Sequence, residues 1–174
     1  MLEYTEFTEK MTQKAQGRTF EQNVDFIIAL CLRDMRNYKY YIEAENRSID
    51  IFAVCYETIA HILMNRDSLD RVQSEKYIAL CNDFLENLQD EDGEYFDVCV
   101  NITCEIMHLL HYIAFKDSRE AAEAAKLSYE SAEAHYQDLG LDCESSEYAE
   151  KMSAFAQCLN DLDISGLTDF LNID

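Results

Sequence analysis

The chain contains no proline, no tryptophan and only four glycines among its 174 residues. A β-sandwich or barrel uses Gly and Pro at its many turns, so their scarcity points to helices joined by short polar connections. Gly17, Gly93, Gly140 and Gly166 all fall where helices are expected to end. No apolar run approaches the roughly 18–20 residues needed to cross a bilayer. The opening stretch MLEYTEFTEK lacks the basic segment followed by an apolar one that a secretory signal requires. Cys31, Cys55, Cys81, Cys99, Cys104, Cys143 and Cys158 are odd in number and show no CxxC spacing. Most fall at apolar-face positions, where a thiol acts as a small hydrophobe, so reduced cysteines and a cytoplasmic location are expected.

What is present is a strong apolar pattern. Hydrophobic residues make up 48% of the chain, with 11 Tyr and 9 Phe spread along it, which excludes a disordered polyampholyte. The length suits one domain, 1–174, and the apolar spacing predicts an all-α bundle of about seven helices. Tyr4, Phe7 and Met11 share a face before Gly17. Thr19 and Gln22 have capping-box spacing. Behind them Phe20, Val24, Ile27, Ile28, Cys31, Leu32 and Met35 follow the 3.6-residue period, leading into a short aromatic connection at Tyr38, Tyr40 and Tyr41. Ser48 is placed to cap a helix to about residue 65, with Ile51, Phe52, Cys55, Ile59, Ile62 and Leu63 inward.

Residues 68–88 repeat the pattern through Leu69, Val72, Tyr77, Leu80, Cys81, Phe84, Leu85 and Leu88. After the break QDEDGE, residues 94–115 are apolar on most sides, leaving a narrow strip of Asp97, Asn101, Glu105, His108 and His111. A helix of that kind lies in the middle of a bundle. Ser118 is placed to cap an alanine-rich helix to about residue 137. The last long helix, 144–162, carries Tyr148, Met152, Phe155, Leu159 and Leu162 inward.

Little in the sequence suggests an active site. Glu105 and His108 form a single ExxH, whereas a di-iron bundle needs two such motifs and two further glutamates. His111 and the pair Glu57/His61 could complete a mononuclear metal site only by converging, which their spacing does not demand. There is no nucleophile elbow, no Gly-rich phosphate loop and no cysteine beside a histidine, and His135 reads as an exposed residue. The expectation is a protein that is not an enzyme and needs no cofactor and no metal.

Charge is the outstanding feature. The formal net charge is −21, well beyond the magnitude of about 2–8 that solubility favours in a small domain. Residues 1–76 hold 10 basic and 13 acidic side chains, whereas residues 77–174 hold 4 and 22. Between Lys76 and Lys116 no basic residue interrupts Asp83, Glu86, Asp90, Glu91, Asp92, Glu94, Asp97 and Glu105. A second acidic stretch runs from Glu130 to Glu150. One-sided negative charge repels nucleic acid and anionic membrane and steers a basic protein partner. The candidate partner-binding residues are Asp83, Glu86, Asp90, Glu91, Asp92, Glu94, Tyr95, Asp97, Glu144, Glu147 and Tyr148, with Phe96 as a further aromatic anchor.

The segment VDFIIALCLRDMRNY resembles the second helix of the bacterial YjaG-like family (domain of unknown function 416), at Phe26, Leu30, Cys31, Arg33, Asn37 and Tyr38. The likeness continues more faintly over two thirds of the chain, which departs from the family in lacking a proline after that helix and in its acidic C-terminal half. The resemblance implies an all-α fold and no established activity. In size, acidity and helical class the chain also resembles immunity proteins of contact-dependent inhibition and other polymorphic toxin systems. That implies a cytoplasmic inhibitor binding a basic nuclease-type toxin domain one to one. The alternatives are a YjaG-like housekeeping protein without a toxin partner, or a metal-binding enzyme using Glu105 and His108.

Overall fold

The Thr19–Gln22 capping box forms as the spacing predicts. The Gln22 amide donates to Thr19 Oγ1 at 3.2 Å, and the Thr19 amide donates to Gln22 Oε1 at 3.0 Å. Each side chain thus satisfies a backbone N–H that the first helical turn leaves unpaired. The computed structural model describes residues 4–44, 70–87 and 94–161, and the side-chain surroundings of 6–35, 70–86, 100–137 and 139–161. Among the described residues there are six helices and no strand: α1 (Tyr4–Gln16), α2 (Phe20–Ala44), α3 (Arg71–Asn87), α4 (Glu94–Phe115), α5 (Ser118–Asp138) and α6 (Ser146–Asp161). The all-α class expected from the periodicity is what the chain adopts. The helix expected over 48–65 lies outside the described residues.

α1 buries Phe7, Met11 and Ala15, one side chain per turn. α2 is longer than expected, because the aromatic connection at Tyr38–Tyr41 is part of the same helix. No Pro or Gly in that stretch could end it. Its buried arc is also wider. Beside the expected Val24, Ile27, Ile28, Cys31 and Met35, a second row of Asn23, Phe26, Leu30, Arg33 and Asp34 is buried, while Leu32 is 40% exposed. Asn23 is held by donating to the Ala15 carbonyl at 2.8 Å and to Tyr112 Oη at 2.9 Å.

α4 packs on α2, α3 and α5, as the apolar run predicts for a central helix. Its core residues Ile102, Ile106, Leu109 and Leu110 are fully buried, each such side chain contributing about 1.5–3 kcal/mol of transfer free energy. α5 is a second hub, packing on α1, α2, α4 and α6. It can do so because Ala121, Ala122, Ala124, Ala125, Ser128, Ser131 and Ala132 bring backbones close on several sides. α3 is more peripheral than its sequence suggests. Cys81 is buried, but Val72 and Leu80, expected inward, are 72% and 46% exposed. α6 buries Tyr148, Met152, Phe155 and Leu159, as its period predicts.

The α4–α5 turn is tight. Lys116 adopts φ 55, in the left-handed region, and ends α4. Asp117, and not Ser118, is the N-cap of α5, its carboxylate accepting from the Arg119 amide at 3.0 Å and from the Arg119 guanidinium. Those hydrogen bonds hold the Asp117 carboxyl below its usual range. Asp117→Ala is therefore expected to cost about 1 kcal/mol in urea unfolding, with Ser118→Ala within about 0.5 kcal/mol of the wild type. Equal losses for the two would show that the cap has been assigned to the wrong residue.

Candidate functional site

The most unusual feature of the interior is charge. Arg33 and Asp34 are neighbours in sequence, are 2% and 1% exposed, and pair through both Nε and Nη2 on Asp34 Oδ1. Arg33 Nη2 also donates to the Ser128 carbonyl at 2.7 Å, and Ser128 Oγ donates to Asp34 Oδ2 at 2.8 Å. The guanidinium lies over the Phe155 ring, 4.2 Å from its centroid. Helices α2, α5 and α6 thus meet at one ion pair.

α4 adds Glu105, which is fully buried. Neither of its carboxyl oxygens faces a donor. Its neighbour is the Asp34 carboxyl, so a hydrogen bond between the two forms only when one of them carries a proton. Burial first, and then the negative charge of Asp34 and that hydrogen bond, raise the Glu105 carboxyl well above the usual range, with Arg33 acting in the opposite direction. The arrangement places one guanidinium and two carboxyl groups in a low-dielectric core, where burial and Asp34 oppose ionisation of Glu105.

The ExxH pair does not converge. Glu105 turns into this core, whereas His108, a turn further along α4, faces α5. Its carboxylate partner is Glu120, with His108 Nδ1 at 2.8 Å from Glu120 Oε2. His111 Nδ1 lies 3.7 Å from the same oxygen. His108 and His111 therefore belong to an α4–α5 seam, as does Asn101 through a 3.4 Å hydrogen bond to Ser131 Oγ. Among the described residues, the groups that could hold a cation together are His108, His111 and Glu120. Glu57 and His61 lie outside the described residues. His135, expected at the surface, is half-buried with its ring 5.9 Å from that of Tyr136. Burial pushes the Cys81 thiol up to about 11 and raises Cys104 as well, which makes both poor nucleophiles.

The candidate partner-binding residues divide. Asp83 and Glu86 are exposed on α3; Glu144 and Glu147 are exposed at the start of α6, joined there by Asp142 and Glu150. α3 packs on α4, whereas α6 packs on α5 and α1, so the two acidic stretches belong to different parts of the bundle. Tyr148 is a core residue at 8% exposure, its hydroxyl donating to Glu133 Oε1 at 3.0 Å. Asp90, Glu91 and Asp92 lie outside the described residues, as do the side chains of Glu94, Tyr95, Phe96 and Asp97.

The fold and these side chains define an acidic all-α bundle with a buried ion pair. No family model matches the chain, and no curated protein or solved structure matches it. Among the described residues no helix is long and apolar enough to cross a membrane. Of the residues that carry the YjaG-like resemblance, Phe26, Leu30, Cys31 and Arg33 are all buried.

Sequence reasoning missed the Arg33–Asp34 pair, although a signal was present. Asp34 follows Ile27 and Cys31 on the apolar stripe, and a charge on such a stripe needs a partner. Glu120 was missed because its relation to His108 and His111 exists only once the α4–α5 turn folds back.

Proposed function

We propose that this chain is a binding protein whose acidic C-terminal half receives a basic protein domain, and that it acts as an immunity protein neutralising a nuclease-type toxin. The observation that carries this reading is the one-sided charge, a net of −18 over residues 77–174 against −3 over residues 1–76. Before and within the first turns of α6, Asp142, Glu144, Glu147 and Glu150 stand exposed, and the one cation among residues 139–161 is Lys151. A nuclease groove is basic because it neutralises phosphates, so it is a natural complement to such a surface. Charge of this kind acts chiefly on encounter rate and partner choice.

The test is whether a neighbouring gene encodes a basic toxin domain, followed by association kinetics with that domain and rescue of cells expressing it. Binding should be one to one, with an association rate that falls about tenfold or more between low and physiological salt. The triple charge reversal Glu144→Lys, Glu147→Lys, Glu150→Lys should slow association to a comparable extent without altering the helical content. A rate indifferent to both salt and charge reversal would remove the electrostatic basis of the reading. Absence of any complex or rescue would remove the reading itself.

A further inference from the structure

We propose that His108, His111 and Glu120 form a binding site for a divalent transition-metal ion of the zinc, cobalt or nickel kind. His108 and His111 are one turn apart on the last two turns of α4, and Glu120 is in the first turn of α5. The tight turn at Lys116 and Asp117 sets the two helices face to face, so all three side chains reach one point. One ligand atom from each lies within 4.8 Å of the other two. Glu120 Oε2 lies 2.8 Å from His108 Nδ1 and 3.7 Å from His111 Nδ1. Around a tetrahedral ion with ligand bonds of about 2.0–2.1 Å, neighbouring donor atoms stand about 3.3 Å apart. The two separations from Glu120 bracket that spacing, and the third side of the triangle is within 4.8 Å.

A plain hydrogen bond accounts for only part of this geometry. Glu120 Oε2 satisfies His108, while His111 Nδ1 stands beyond hydrogen-bonding distance of the same oxygen. A cation between the three groups engages all of them. Two imidazoles and a carboxylate suit borderline transition ions and not calcium or magnesium, which prefer oxygen ligands. The side chains are 25%, 32% and 23% exposed, so an ion can enter from solvent and keep water in its remaining position. The strongly negative half of the chain that contains them raises the local cation concentration. The inference is independent of any toxin partner.

The test is calorimetric titration of the full, reduced chain with Zn(II), and optical titration with Co(II). Equimolar binding is expected, with visible cobalt bands and no thiolate-to-cobalt charge transfer. His111→Ala and Glu120→Gln, both at half-exposed positions, should each weaken binding on the order of tenfold or more, with unchanged circular dichroism. His108→Ala/His111→Ala should abolish it. Saturating Zn(II) should raise the melting temperature of the wild type and leave that of the double variant unchanged. The proposal is overturned if the wild type binds neither ion, if the double variant binds as tightly as the wild type, or if a thiolate band shows that cysteines hold the metal.

Discussion

Arg33→Met is expected to lower the free energy of unfolding by about 3–5 kcal/mol, the cost of breaking a buried ion pair from one side. The substitution fills a similar volume and keeps contact with Phe155, so little of the loss would come from a cavity. The loss is electrostatic. Asp34 would keep the Ser128 hydroxyl at Oδ2 and the Glu105 carboxyl beside it, with no cation left among the described buried residues. The Ser128 carbonyl would lose its side-chain donor too. Removing both charges, in Arg33→Met/Asp34→Leu, should recover a large share of the loss, because neither member of the pair is then left buried without the other. Urea unfolding of the two single variants and the double measures this coupling directly. A loss below about 1 kcal/mol for Arg33→Met would mean that water reaches the pair and screens it.

Glu105→Gln is expected to stabilise the protein, by an amount that depends on pH. In the folded chain Glu105 is raised well above the usual carboxylate range by burial and by Asp34, whereas unfolded it ionises near its ordinary value of about 4.3. Between those two values the folded state holds a proton that the unfolded state has released. The stability contributed by the protonated acid is fully present below about pH 4.3 and is lost as pH rises through the folded value. The slope is up to about 1.4 kcal/mol per pH unit for one proton. A glutamine amide can donate to Asp34 at every pH and escapes this loss. The variant should therefore match the wild type near pH 4 and exceed it by about 1–3 kcal/mol at pH 8. Urea unfolding across this range decides the matter, and a pH-independent difference would show that Glu105 does not carry the proton.

Both effects arise at positions where a local rule is broken, which is where reading a sequence by its pattern is weakest. The 3.6-residue period places α1, the first part of α2, α4, α5 and α6 because each has one face that must leave water, and the same period names Tyr148, Met152, Phe155 and Leu159 as core. It does less well on α3. Val72 and Leu80 lie on the apolar stripe yet remain exposed, since a stripe states which side prefers burial and not whether a neighbour covers it. For α5 the alanines mark a helix, but composition alone does not say that four other helices gather around it.

The candidate sites divide along the same line. Acidity is a property of composition, and the concentration of net negative charge in residues 77–174 can be counted directly. Its division between α3 and α6 cannot, because it depends on which helices pack together. Likewise the ExxH spacing puts Glu105 and His108 near one another on α4 and is silent about their rotation relative to α2 and α5. That rotation sends Glu105 to Asp34 and His108 to Glu120, so one sequence motif serves two unrelated clusters.

By itself the sequence determined the helical class, the capping box at Thr19 and the inner faces of most helices, because these follow from backbone chemistry and from apolar periodicity within a single segment. It also determined the charge and its asymmetry. Only the tertiary structure decided which polar groups became interior and which became ligands of one another. Arg33, Asp34, Glu105 and Ser128 come from three helices, and His108, His111 and Glu120 from two. Distances between side chains on different helices are set by packing, which no spacing along the chain encodes.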